Sequence, residues 1–229
     1  MLVLSLDTTS RAGSCALARD GRVLCVESSD TARQQGGQLP GALAALLDRE
    51  SVDLSEIDGF GVAIGPGSFT GLRVGIATMQ GLAMATGKPL VGVSALDALA
   101  MLAGGGTFPA ARVVTWIEAW RGDVFSATYE GGRALQEPVL AHPHELLDHL
   151  GGGPSVFIGD GAARHMELIR TRCGANAELA APIAPPLAGS VAMAASGLLY
   201  SGEFPPPHAI CPLYVRRSNA DLATNARPV

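Results

Sequence analysis

The order in which strand-like and helix-like segments follow one another constrains this chain more than any single motif. Residues 2–6 and 14–18 run or alternate apolar, and 22–28 follows an Asp20-Gly21 turn, which predicts a three-strand antiparallel meander. Leu39, Leu43, Leu46 and Leu47 then fall at helical spacing behind Pro40, with Asp48, Arg49 and Glu50 on the other side, a helix of about three turns. A buried-type strand over 57–64, a long helix over 70–86, a strand over 89–93 and a helix capped by Ser94 and ending at Leu102 complete a β-β-β-α-β-α-β-α run. Beyond Gly104-Gly105-Gly106, strands are expected at 113–118, 124–129 and 134–137 and a short helix at 144–150, so the opening order recurs. A strand at 155–158, a helix over 162–173, a short strand near 178–180 and a helix over 187–200 follow. No internal sequence repeat is detectable, yet the shared order suggests an ancient duplication.

Antiparallel strands continued by parallel ones imply an α/β fold: two lobes, each with a mixed five-stranded sheet, helices on the sheet faces and a cleft between the lobes. That is the two-lobe actin-like, ribonuclease-H-like (ASKHA) architecture. The glycine runs place the lobes at 1–104 and 105–229, with a C-terminal segment able to pack back on the first.

Composition narrows the partners. The net charge is −5, and of the 16 basic residues only Lys88 is a lysine, the arginines being scattered. Neutralising phosphate needs a concentrated cationic face, so nucleic acid is expected to be held only through a partner. Apolar stretches are cut by Gly, Asp, Arg or Pro before the ~18–20 residues of a bilayer span. The opening segment meets Asp7 without a basic region before it, so a cytoplasmic location without a secretory signal is expected. Cys15, Cys25, Cys173 and Cys211 form no C-x-x-C pair. A hairpin turn at Arg19-Asp20-Gly21-Arg22 would pair Ala16 with Cys25 and leave Cys15 on the other face, so free thiols are expected.

Two segments could carry chemistry. Asp7-Thr8-Thr9-Ser10, at the end of the first strand, reads either as a phosphate loop or as a turn capping a hairpin, and residue types do not separate the two. Gly65-Pro66-Gly67-Ser68-Phe69-Thr70-Gly71-Leu72-Arg73-Val74-Gly75 flows into a helix N-terminus, where free amides could hold an anion. Its spacing is neither the dinucleotide G-x-G-x-x-G nor a Walker loop. The helix behind it carries small residues at spacing four, Gly71 with Gly75 and Ala77 with Gly81 and Ala85, suited to close packing inside the chain or against a partner. His144-Glu145-Leu146-Leu147-Asp148-His149 is one residue too long for a metalloprotease helix, since ~100° per residue sets the histidines about 140° apart. No G-x-S-x-G elbow is present, and Gly159-Asp160-Gly161 is a tight turn before it is a second phosphate loop.

Taken together, Leu4-Ser5-Leu6-Asp7-Thr8-Thr9, the segment Gly65 to Gly75, Val91-Gly92-Val93-Ser94-Ala95-Leu96 and Pro212-Leu213-Tyr214-Val215-Arg216 resemble the TsaB family, formerly called YeaZ. The resemblance implies a non-catalytic subunit needed for threonylcarbamoylation of the adenosine beside the anticodon in tRNAs reading codons that begin with A. In that pathway TsaC makes threonylcarbamoyl-adenylate, TsaD transfers the group, and the ATPase TsaE joins the TsaB–TsaD pair. It further implies no metal and no cofactor of the chain's own, leaving open a nucleotide at the interface of the complex. The metal-holding H-x-x-x-H of TsaD is absent here. Implied partners are TsaD, TsaE and a second copy when TsaD is missing, with tRNA reached only through the complex. The candidate interface is Leu39, Leu43, Leu46 and Leu47 of the first helix with Thr70, Arg73, Val74, Ala77 and Gly81 of the second. Asp7, Thr8, Thr9 and Ser10 would be a vestigial nucleotide loop. Gln35-Gly36-Gly37-Gln38 and Glu118-Ala119-Trp120 depart from the His-Ser and Asp-Ala-Arg of many relatives. The competing reading is an active phosphotransferase or ATP hydrolase using Asp7 and the interlobe cleft. A protease lacks an arranged nucleophile and base.

Overall fold

The computed structural model describes residues 1–10, 13–28, 35–103 and 112–215, and of 35–39 the backbone alone. The glycine run at 104–106 and the side chains of Gln35, Gln38 and Leu39 lie outside that set. The chain runs β1 (Leu2–Asp7), β2 (Ser14–Arg19), β3 (Arg22–Ser28), α1 (Gln35–Arg49), β4 (Gly59–Gly65), α2 (Phe69–Thr86), β5 (Leu90–Ser94) and α3 (Ala95–Leu102). It continues β6 (Arg112–Glu118), β7 (Val124–Glu130), β8 (Arg133–Ala134), β9 (Val139–Ala141), α4 (Pro143–His149) and β10 (Ser155–Ile158). The last elements are α5 (Asp160–Arg164), α6 (Met166–Cys173), β11 (Ala177–Leu179) and α7 (Ala188–Ser201). The helix expected over 162–173 is thus two helices that meet at His165.

The described residues divide into two compact units, Met1–Ala98 with Pro186–Leu213, and Leu99–Pro185 with Tyr214 and Val215. The first sheet has the order β3-β2-β1-β4-β5, with β1, β2 and β3 antiparallel and β1, β4 and β5 parallel. Period-two alternation splits its side chains between two layers. Leu4, Leu6, Leu17, Phe60 and Val62 join Leu46, Ile76 and Met79 of α1 and α2 in one buried cluster.

The opposite face is built of small residues, and α7 lies on it. A Cβ on Gly61 would sit 2.7 Å from Ala195 Cβ, and one on Gly59 would sit 2.6 Å from Leu199 Cδ1. Ser5 Oγ donates to Ala188 O at 2.7 Å, and Ala188 N donates to Ser14 Oγ at 3.1 Å. A division at 104/105 would assign this helix to the second unit. Its uncharged sequence, AGSVAMAASGLLYS, instead closes the back of the first sheet, where only a close-approaching helix fills the space.

One register differs from expectation. Ala18 pairs with Val23 but Leu17 pairs with Cys25, so Leu24 is an extra residue and the register beyond it moves by one. Ala16 therefore faces Val26 rather than Cys25, and Cys15, opposite Glu27, shares a sheet face with Cys25. All four cysteines are free thiols. Burial pushes the Cys15 thiol up to about 11, and burial also raises that of Cys25.

The second sheet has the order β11-β10-β6-β7-β8, with β9 sharing the outer edge of β7. The expected strand at 134–137 is thus replaced by two short strands, the chain leaving the edge between Leu135 and Pro138, a residue without an amide to donate. Trp116 packs edge-on to Phe157 at 5.5 Å, over Val114, Leu147 and Ile169. No described helix is long and apolar enough to cross a membrane.

Candidate functional site

The glycine segment and the Asp7 loop form a single construction. Ser68 caps α2, accepting from Gly71 N at 3.2 Å, and its own amide donates to Thr9 O at 2.8 Å. Thr8 Oγ1 donates to Gly71 O at 2.8 Å. Thr9 donates to Asp7 Oδ1 through both its amide, 2.8 Å, and its hydroxyl, 2.6 Å. Asp7, Thr8 and Thr9 are each at most 2% exposed, while Ser10 is half-buried.

The glycines exist for this contact. A Cβ on Gly67 would lie 2.4 Å from Thr9 O, one on Gly71 2.2 Å from Thr8 O, and one on Gly75 2.2 Å from Thr8 Oγ1. The loop that could have cradled an anion is filled by the chain's own Thr8 and Thr9, and the Gly71 amide is taken by Ser68. Of the two readings of Asp7-Thr8-Thr9-Ser10, this geometry is that of an Asx turn. The tail is tied to the same helix and to β4: Gln80 Nε2 of α2 donates to Pro207 O at 2.9 Å and Ile210 O at 3.1 Å, and Leu213 N donates to Ile64 O of β4 at 2.7 Å.

The small-residue ladder of α2 divides in two. Gly71 and Gly75 pack inward on Thr8, whereas Thr70, Arg73, Ala77, Gly81, Met84 and Ala85 are exposed. A Cβ on Gly81 would meet nothing within 4 Å. Arg73 lies over the Phe69 ring, 3.7 Å from its centroid, at the head of the exposed stripe. Val74 is half-buried and packs on the core.

For α1 the expectation needs correction. Leu43, Leu46 and Leu47 are 3%, 1% and 9% exposed and belong to the core of the first unit, so they offer no surface to a partner. A single apolar stripe is what holds a surface helix to its own sheet. Among the described residues the outward ones of α1 are Pro40, Gly41, Ala42, Ala44, Ala45, Asp48 and Arg49, with no large apolar side chain. The Leu39 side chain lies outside the described residues.

In the second unit, Gly159-Asp160-Gly161 is also a packing device. A Cβ on Gly159 would lie 2.0 Å from Trp116 O, and Asp160 Oδ1 accepts from Glu118 N at 2.8 Å. Burial pushes the Asp160 carboxyl above its ordinary range, against the backbone hydrogen bonds that lower it. Glu118 pairs with Arg164 at 2.9 Å, and Trp120 is 85% exposed. His142 and His144 stack at 5.4 Å, while His149 Nδ1 meets Glu145 O at 2.7 Å. Among the described residues no group of three or more His, Cys, Asp and Glu side chains is placed to hold a metal ion.

Comparison with known proteins agrees with this architecture. The family model described as TsaD, tRNA N6-adenosine threonylcarbamoyltransferase, matches residues 27–172. The tRNA threonylcarbamoyladenosine biosynthesis protein TsaB of Escherichia coli K12 is 35% identical over 179 residues, covering 70% of this chain and 72% of its own. Its Bacillus subtilis 168 namesake is 30% identical over 183 residues, covering 76% and 77%. The solved structure of YeaZ from Pseudomonas aeruginosa superposes with a TM-score of 0.78 at 29% identity, over 93% of this chain and 99% of that one. Two mixed sheets of matching order, the sealed glycine segment and these identities together mean that the chain, on its two-lobe actin-like fold, belongs to the TsaB (YeaZ) family.

Proposed function

We propose that this chain is a cytoplasmic accessory subunit of the machinery that installs threonylcarbamoyl on tRNA adenosine. It performs no transfer itself and supports TsaD. The observation that carries the reading is the glycine segment: it seals the Asp7 loop from within and leaves on the outside of α2 a stripe of Thr70, Arg73, Ala77 and Gly81. Only Arg73 is charged on that stripe, and small side chains let a second helix approach to the ~8–10 Å of close helix packing. Gly41, Ala44 and Ala45 of α1 extend the same kind of surface. TsaD is the proposed occupant, a second copy of this chain takes its place when TsaD is absent, and TsaE and tRNA are engaged through the complex. The test is a pull-down of TsaD and TsaE, with and without ATP, beside a threonylcarbamoylation assay lacking this subunit. Capture of TsaD and loss of modification without the subunit support the role; threonylcarbamoyl transfer by this chain alone overturns it.

The competing reading, an ATP hydrolase or phosphotransferase built on Asp7, is disfavoured by an aspartate that is 1% exposed and engaged by both donors of Thr9. ATP turnover by the purified chain that disappears in Asp7→Asn would restore it.

A further inference from the structure

A cavity of 270 Å³ opens within the second unit, between its sheet and α4. It exists because of the interrupted outer edge: the chain leaves β7 after Leu135 and returns at Val139, so that Leu135 and Gln136 form one wall. Leu146, His149 and Leu150 form the other, and Trp116 and Phe157 lie beneath. Strand alternation places Ser126 and Thr128 of β7 on this face, because Ser126 pairs with Trp116 and Thr128 with Val114.

The polar groups here are unspent. Among the described residues, the hydroxyls of Ser126 and Thr128 and the amide of Gln136 have no side-chain hydrogen-bond partner, and neither hydroxyl is sealed from solvent. His149 is oriented: a carbonyl can only accept, so the 2.7 Å contact with Glu145 O puts the proton on Nδ1. In the neutral ring that leaves Nε2 as an acceptor. The one full charge in the lining is already committed. Arg112 donates to Leu150 O, to Gly152 O at 2.8 Å and to Gly151 O at 3.4 Å, and its Nε lies 4.0 Å from Glu130. An anionic ligand would have to draw that guanidinium away from the carbonyls it holds, and a cationic one would meet its positive charge.

We propose that this cavity binds an uncharged ring compound bearing hydroxyl or amide groups. Filled at the ~0.75 density of protein interiors, the space suits about a dozen heavy atoms. Four leucines, Leu135, Leu146, Leu147 and Leu150, meet the apolar face of such a ring, while Ser126, Thr128, Gln136 and His149 meet its polar edge.

The chain has two tryptophans, so Trp120→Phe makes Trp116, in the cavity floor, the sole indole reporter. Glucose and myo-inositol, neutral hydroxylated rings of about a dozen heavy atoms, are the probes, each compared with its monophosphate. The expected result is saturable quenching or shifting of Trp116 emission by at least one neutral probe at millimolar concentration. It should weaken about tenfold in Thr128→Val or Ser126→Ala, the scale of one lost hydrogen bond, and be lost for the phosphorylated partner. Amide chemical shifts of the unmutated chain, read at Ser126 and Thr128, keep the test independent of any variant's folding. Silence of both neutral probes in both measurements, or equal binding of the phosphates, overturns the proposal.

Discussion

The hydroxyl of Thr8 occupies the space that a side chain at position 75 would need: a Cβ on Gly75 would lie 2.2 Å from Thr8 Oγ1. Gly75→Ala should therefore destabilise the chain by about 1–3 kcal/mol, the usual cost of overpacking, in spite of alanine's better helix propensity. On the same helix, Gly81→Ala meets open space and should stabilise by about 0.5–1 kcal/mol. Urea midpoints of the two variants should move in opposite directions; equal shifts would contradict the packing assigned to Thr8.

Leu43 and Ala77 make a second contrast. Leu43→Glu places a carboxylate in a core position that is 3% exposed, and should unfold the first unit, at a cost of several kcal/mol by the ~2–7 kcal/mol scale for buried polar groups. Ala77→Arg changes an exposed position, so the circular dichroism spectrum and melting temperature should hold while co-elution with TsaD on a sizing column is lost. Retained co-elution would remove the outer face of α2 from the interface.

The Cys15 thiol supplies a pH dependence. Its native value is raised from 9.0 to about 11, so between those limits the native state keeps a proton that the unfolded chain releases. Stability is fully present below pH 9.0 and should fall as pH rises through that window, and Cys15→Ala should flatten the fall. Stopped-flow reaction with a thiol reagent near neutral pH should show Cys15 modified only after unfolding.

Asp160 acts with the same sign at the acid end. Its carboxyl is raised above 3.8 by burial, so the native state holds the proton longer than the unfolded state, and stability declines as pH climbs upward from that value. Asp160→Asn keeps an oxygen to accept from Glu118 N without the ionisation. Its melting temperature relative to the parent should rise as the pH climbs above 3.8.

Much of the architecture was legible because period and turn chemistry are local. The order of strands and helices, the Asp20-Gly21 hairpin and the cap at Ser94 can all be read within a few residues. The failures have a common cause in distance. Periodicity says that Leu43, Leu46 and Leu47 share a face, but not whose core that face enters. The glycine segment announces close approach, but the group approaching, Thr8, lies 63 residues earlier. A single extra residue, Leu24, moved Cys25 across the sheet, and nothing in the hairpin's composition marks it. The outer edge of the second sheet broke into two short strands at Pro138, which made the walls of a cavity no motif announces.

Helix α7 closes the back of a sheet whose strands are all synthesised before residue 95. During translation that smooth face of Ser5, Ala16, Gly59 and Gly61 has no cover until residues 188–201 leave the ribosome, after the whole of the second sheet has been made. The half of the molecule that starts first is therefore finished last, and a chain truncated before α7 would carry an open, glycine-lined face into the cell.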